Sequence, residues 1–115
     1  MIAVIFEFTP VEGRFKDYKA LAEGLADDVS KSDGFISIER FESLSQRGKI
    51  LSLSFWRDEA AVEKWRNIEV HRAMQAAGRA GIFADYRLRV ASVLRDYGMN
   101  ERTEAPADSR KVHGG

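Results

Sequence analysis

The fold is decided by one stretch, residues 49–98, which reads KILSLSFWRDEAAVEKWRNIEVHRAMQAAGRAGIFADYRLRVASVLRDYG. Residues 49–56 are rich in apolar and β-forming side chains, which predicts a strand. Residues 59–80 place apolar side chains at three- and four-residue spacing, which predicts two short helices or one broken helix, with Asp58 and Asn67 as N-caps. Residues 84–97 alternate Tyr86, Leu88 and Val90 with arginines, so they predict a long final strand.

The sequence before this stretch supplies two further strands and a helix. Residues 2–8 read IAVIFEF and predict a first strand, which Pro10 and Gly13 end with a turn. Residues 15–29 carry an apolar stripe of helical period, and glycine at position 34 suits the left-handed conformation that follows a helix. Residues 35–42 read FISIERFE and predict the hairpin partner of residues 49–56.

The resulting order β-α-β-β-α-β is the split βαβ, or ferredoxin-like, α+β arrangement, with helices on one face of an antiparallel sheet. The other face is left bare, and a final strand of this length would span more than ~40 Å. We therefore expect the last strand to reach a second copy of the chain, and the two sheets to close face to face in a homodimer.

Length and composition limit the possible partners. The 115 residues allow one domain, predicted over residues 1–98, and the polar residues 99–115 predict a flexible tail. Eighteen basic and eighteen acidic residues balance, which argues against nucleic acid as a partner. No apolar run is long enough for a membrane span, and without cysteine there is no disulfide or thiolate metal site. These features favour a cytoplasmic protein.

Several polar and aromatic residues are candidates for a site. His71, with its near-neutral pKa, could act as a general base, or it could be a packing or surface histidine. It shares a helical stripe with Gln75 and Arg79, which is typical of a pocket rim and equally of a solvated face. Arg72 and Arg79 could stabilise an oxyanion, or they could pair with nearby carboxylates.

The aromatic candidates have structural alternatives too. Trp65 could pack in the core and also wall a pocket, whereas Trp56, at the end of a strand, is more typical of a structural residue. Tyr86 could hydrogen-bond a substrate, or it could be an ordinary amphipathic strand residue. Phosphate-loop, dinucleotide, zinc-peptidase and nucleophile-elbow motifs are absent from the sequence.

The pieces LSLSFWRDEAAVEKWRNIEVHRAMQAAGR, DYRLRV, RDYG and GFISIERFES resemble the antibiotic biosynthesis monooxygenase domain family, over about residues 2–98. The resemblance implies a dimeric α+β barrel. It also implies oxygenases that oxidise anthrones or quinols without metal or organic cofactor, and relatives that degrade haem. The haem-degrading branch carries a ligating histidine about ten residues after its tryptophan and an asparagine in the first strand. Gln75 and Phe6 stand at those positions here, so no haem is expected.

Together these observations predict a cofactor-independent monooxygenase for a small phenolic, quinol or anthrone-type aromatic. In this interpretation His71 removes a proton from the substrate and Arg72 or Arg79 holds the oxyanion. Trp65, Phe6 and Tyr86 wall the pocket, with Gln75 at its rim. The alternatives are a non-catalytic dimeric protein that binds a small ligand or serves in stress, and a haem-binding protein.

Overall fold

A computed structural model shows a four-stranded antiparallel sheet with helices on one face. The structure describes residues 1–67, 76 and 81–109, and only the backbone of residues 24–27. The elements are listed here in chain order: β1 (Ile2–Pro10), α1 (Phe15–Ser30), β2 (Phe35–Glu42), β3 (Ile50–Trp56), α2 (Glu59–Arg66) and β4 (Phe83–Ser92). The strand order is β2-β3-β1-β4, and all three pairings are antiparallel. The predicted ferredoxin-like α+β fold is confirmed.

The side chains of β1 divide the sheet into two faces. Ile2, Val4, Phe6 and Phe8 point towards the helices, because successive side chains of a strand alternate between faces. Phe8 is almost completely buried, and its ring lies 4.4 Å from that of Tyr18 in α1, centroid to centroid. We call this side the helix face and the opposite side the open face.

Local chemistry fixes the junctions between elements. The carboxylate of Asp58 accepts a hydrogen bond from the backbone N–H of Ala61 at 2.9 Å and so caps α2, as the sequence predicts. Gly34 has φ +81°, a left-handed conformation that glycine adopts without steric cost. Asn67 is the C-cap of α2. The predicted role of Asn67 as the N-cap of a following helix falls on residues outside the described ones.

Two predictions about strand ends are wrong. Pro10 is the last residue of β1, where the register shifts, rather than part of the turn. The final strand ends at Ser92 and not near Tyr97. The reason is its partner: Ser92 lies opposite Ile2, where β1 begins, so the sheet offers no strand for later residues to pair with. Just beyond this pair, the Val93 N–H donates a hydrogen bond to the Met1 carbonyl at 3.0 Å.

The described part of the tail makes local contacts. The Asp96 N–H donates to the Glu104 carboxylate at 2.9 Å, the Arg102 guanidinium lies 5.1 Å from the centre of the Tyr97 ring, and Ala105 is buried. The domain boundary at residue 98 and the flexibility of residues 99–115 stay predictions. No helix within residues 1–67 or 81–109 is long and apolar enough to cross a membrane.

Candidate functional site

The candidate site lies on the helix face, where β1 meets the edge strand β4. Phe6 lies opposite Leu88 and Val4 opposite Val90, so these side chains share one face. The ring of Phe6 lies 5.8 Å from that of Tyr86 and 5.6 Å from that of Phe83, centroid to centroid. We call five of these side chains the β1–β4 patch: Phe6, Phe83, Tyr86, Leu88 and Val90.

The patch is apolar and accessible. Tyr86 is 49% exposed, Leu88 52% and Val90 48%, although all three are on the face that the helices cover. An edge strand has a neighbour on one side only, which leaves its side chains less covered than those of a central strand. Accessible aromatic and aliphatic groups on the inner face of a domain are typical of a small-molecule site.

Trp65 borders the same face from α2. Its ring lies 5.3 Å from that of Trp56, and it packs against the buried cluster around Trp56, as Ile2 and Val4 also do. Trp56 is fully buried, with its Nε1–H donating to the Ser54 hydroxyl at 2.9 Å. The structural interpretation of Trp56 is therefore confirmed, and Trp65 does pack in the core.

The structure thus places two of the predicted pocket residues together, Phe6 and Tyr86. Trp65 lies on the same face, in the cluster next to theirs. The other predicted site residues lie outside the described residues: His71, Arg72, Gln75 and Arg79. Their roles stay predictions.

The structure adds two residues to this region that the sequence analysis did not place in the site. Phe83 contacts both Phe6 and Tyr86, and Tyr18 contacts Phe8 and Phe83. Tyr18 belongs to the apolar stripe of α1, which predicts a core residue. Its hydroxyl also accepts a hydrogen bond from the Arg40 Nε–H at 2.9 Å, which the stripe does not predict.

Among the described residues, the side chains whose pKa values clearly differ from their ordinary values form a surface cluster near Gly34. A hydrogen bond and the charge of the Arg57 guanidinium lower the pKa of Asp33. The Ala61 N–H, followed by Arg57, lowers the pKa of Asp58. Arg57 donates to Asp33 at 3.1 Å and to Asp58 at 3.2 Å, and these two carboxylates raise its pKa. This cluster ties the start of β2 to α2 and is separate from the patch.

On the open face, one carboxylate meets two cations. The Glu7 carboxylate lies 3.3 Å from the Arg89 guanidinium and 3.7 Å from the Lys49 ammonium. This identifies an acidic partner for the arginine-bearing side of β4. Among the described residues there is no group of three histidine, aspartate or glutamate side chains that could hold a metal ion.

Comparison with known proteins agrees with this architecture. Residues 1–77 match the family model described as antibiotic biosynthesis monooxygenase. The chain belongs to the antibiotic biosynthesis monooxygenase family. Within the family, it is 45% identical over 101 residues to a protein of the fungus Pyricularia oryzae named jasmonate monooxygenase ABM. That alignment covers 88% of this chain and 47% of the fungal protein, so the chain spans about half of that relative's length.

Solved structures support the same fold for this antibiotic biosynthesis monooxygenase family member. Rv0793 from Mycobacterium tuberculosis superposes with a TM-score of 0.75 at 20% identity, covering 84% of this chain and 98% of that one. A point mutant of SnoaB from Streptomyces nogalater, described as a cofactor-independent oxygenase, superposes with a TM-score of 0.71 at 12% identity. Here the coverage is 83% of this chain and 94% of the other. At these identities the likeness establishes the fold alone.

Proposed function

We propose that the protein is a cofactor-independent monooxygenase that binds a small phenolic, quinol or anthrone-type aromatic on the β1–β4 patch. The observation that carries this proposal is the contact between Phe6 and Tyr86, with Tyr86 and Leu88 half exposed beside it. A flat aromatic substrate can stack on such rings and exclude water from them. Membership of the monooxygenase family supports oxygen as the second substrate.

The chain's connectivity supports His71 as the base. Residues 68–80 join α2, whose Trp65 packs in the cluster next to the patch, to β4, which carries Tyr86, so both elements that flank the segment containing His71 bear side chains of the helix face. An imidazole with a near-neutral pKa can remove the acidic proton of a phenol or an anthrone. Arg72 or Arg79 in the same segment would stabilise the anion formed.

The chemistry balances without an added reductant when the substrate is an anthrone. Deprotonation of its ring methylene gives a carbanion, which donates electrons to dioxygen and forms a peroxide at that carbon. Loss of water from the peroxide leaves a carbonyl, so one methylene group and one dioxygen molecule give one carbonyl group and one water molecule. One oxygen atom enters the product, the other becomes water, and the substrate supplies every electron. The name of SnoaB, a cofactor-independent oxygenase, supports this route.

The test is oxygen uptake by metal-stripped protein with a panel of anthrones and hydroquinones. Wild-type protein is compared with His71→Ala and with His113→Ala, the chain's other histidine, as matched control. We expect His71→Ala to lose at least about a hundredfold in kcat/KM, as removal of a general base typically does, and His113→Ala to lose nothing. Equal rates for both variants would remove His71 from the mechanism. No uptake with any substrate would refute the proposed substrate class.

A second candidate substrate is a jasmonate-like cyclic ketone acid. The 45% identity to the Pyricularia jasmonate monooxygenase favours it. Conversion of a C–H bond to C–OH by dioxygen, with release of water, consumes two further electrons and two protons, so the assay needs a two-electron reductant such as NADPH. A product heavier than jasmonate by one oxygen atom, formed only with oxygen and reductant, would select this substrate over the aromatic one.

We further propose that the open face is covered by a second copy of the chain. Its central positions carry apolar side chains from β1 and β3: Ala3, Ile5, Leu51, Leu53 and Phe55. A self-complementary sheet face of this kind is typical of a two-fold homodimer. Sedimentation should give twice the chain mass of 13.0 kDa, and Leu53→Lys should give a monomer. A wild-type monomer at micromolar concentration would refute the homodimer.

A further inference from the structure

A depression lies on the far side of α1 from the patch. It is a cleft of about 360 Å³ between α1 and the edge strand β2. Its floor is formed by the buried residues Tyr18, Ala22 and Ile50, and the half-exposed ring of Phe15 stands at its rim. We call it the α1–β2 cleft. It shares no lining residue with the β1–β4 patch, and its volume is within the range of small-molecule sites.

The cleft contains an arginine whose orientation is fixed. The Arg40 Nε–H donates to the hydroxyl of Tyr18 at 2.9 Å, and Tyr18 is buried against Phe8. Among the described side chains, the terminal nitrogens of Arg40 have no carboxylate within ion-pair distance. A guanidinium held in this way presents its two terminal donors as a fork that matches a carboxylate.

The other charged side chains that line the cleft do not neutralise Arg40. Lys19 adds a second cation at the wall. Of the two carboxylates that line the cleft, Glu42 accepts a hydrogen bond from the Gly48 N–H at 3.3 Å, which holds it towards the β2–β3 loop. Glu23 is exposed on α1. The two cations therefore remain available to an anion that reaches the apolar floor.

We infer that the α1–β2 cleft is a second ligand site, which takes a small aromatic carboxylate. The aromatic part lies beside Phe15 over the apolar floor, and the carboxylate is bound by the fork of Arg40. Binding at this site involves no oxidation. It does not depend on the proposed oxygenase activity, because none of the residues assigned to that activity line the cleft.

The experiment is calorimetric titration with 2-naphthoate, using 2-naphthamide as the neutral probe of the same shape. We expect naphthoate to bind at least tenfold more tightly than the amide, because only the carboxylate can accept both charge-assisted bonds from Arg40. Arg40→Gln should weaken naphthoate binding at least tenfold. Arg47→Gln, which removes an arginine from the β2–β3 loop outside the cleft, should leave binding unchanged.

A further variant distinguishes the loss of the Arg40 charge from a general loss of binding caused by misfolding. Phe15→Ser alters an exposed rim residue, and it should weaken both naphthoate and naphthamide while Arg40→Gln weakens naphthoate alone. Naphthoate binding that survives Arg40→Gln, or that is lost in Tyr86→Ser instead, would overturn the assignment. His71→Ala should bind naphthoate like wild type. The naphthoate titration would therefore still test the cleft if the oxygenase proposal failed.

Discussion

The two halves of the helix face are closed to different degrees. Around Trp56 the face is sealed, because its indole is fully buried, and the rings of Phe35 and Trp65 pack against it. Around Tyr86 the face is half open. The difference follows from strand position: β3 lies between β2 and β1, whereas β4 has β1 alone as a neighbour. We infer that the closed half stabilises the fold and that the open half is free to contact a ligand.

The strongest test of this comparison is removal of the central ring of the closed half. Trp56→Ala should lower the free energy of unfolding by about 4 kcal/mol, because it leaves a cavity where the indole makes all its contacts within the protein. Urea unfolding measures the loss. Trp56→Phe should cost about 2 kcal/mol, since it keeps a ring but leaves the buried Ser54 hydroxyl without its indole donor. A loss in Trp56→Ala of under about 2 kcal/mol would contradict the proposed role of this half.

The second test concerns the close approach of β2 and α2. A Cβ added at Gly34 would lie 2.5 Å from the Cβ of Ala61, and the residue has φ +81°. Gly34→Ala should therefore cost about 3 kcal/mol, as the sum of overpacking and left-handed strain. Gly13→Ala is the matched control: its φ is +84°, but no atom lies within 4 Å, so only about 1 kcal/mol is expected. Equal losses in the two variants would show that the contact with Ala61 is unimportant.

The third test addresses the open half. Tyr86→Ser should lower the unfolding free energy by only about 1 kcal/mol, because half of the ring is already exposed. If the proposed function is correct, kcat/KM for oxygen uptake should fall about tenfold or more, since a wall of the substrate site is lost. Tyr97→Ser, which alters an exposed tyrosine beyond the sheet, is the control and should keep full activity. A Tyr86→Ser variant as unstable as Trp56→Ala would remove the distinction between the two halves.

The sequence was sufficient for the fold because each element carries its own local pattern. The apolar run of β1, the alternation in β4, the Asp58 cap and the glycine at position 34 all act within a few residues, and the structure confirms them. The end of β4 could not be predicted in this way. Alternation continues past Ser92 in the sequence, but a strand ends where its partner ends, and the partner is distant in the chain.

The site could be predicted only in part, for a similar reason. Tyr86 was found because it lies on an alternating strand, and Phe6 because the resemblance to a known family indicated its position. Phe83 and Tyr18 were missed because their ring contacts depend on the register between β1 and β4 and on how α1 packs. The Arg40–Tyr18 hydrogen bond joins residues 22 positions apart, and no local spacing indicates it.

The smallest expected effect is at the surface of the closed half, where Arg57 bridges Asp33 and Asp58. The lowered pKa of Asp33 means that its charged form stabilises the fold at neutral pH, and that this stabilisation is lost as pH falls below the ordinary value of 3.8. Asp33→Asn should therefore lower the urea midpoint slightly at about pH 6, with the gap from wild type narrowing between about pH 4 and pH 3. Asp85→Asn, an exposed aspartate of β4 outside this cluster, serves as control. A gap that stays constant over this range would show that the pair with Arg57 contributes nothing.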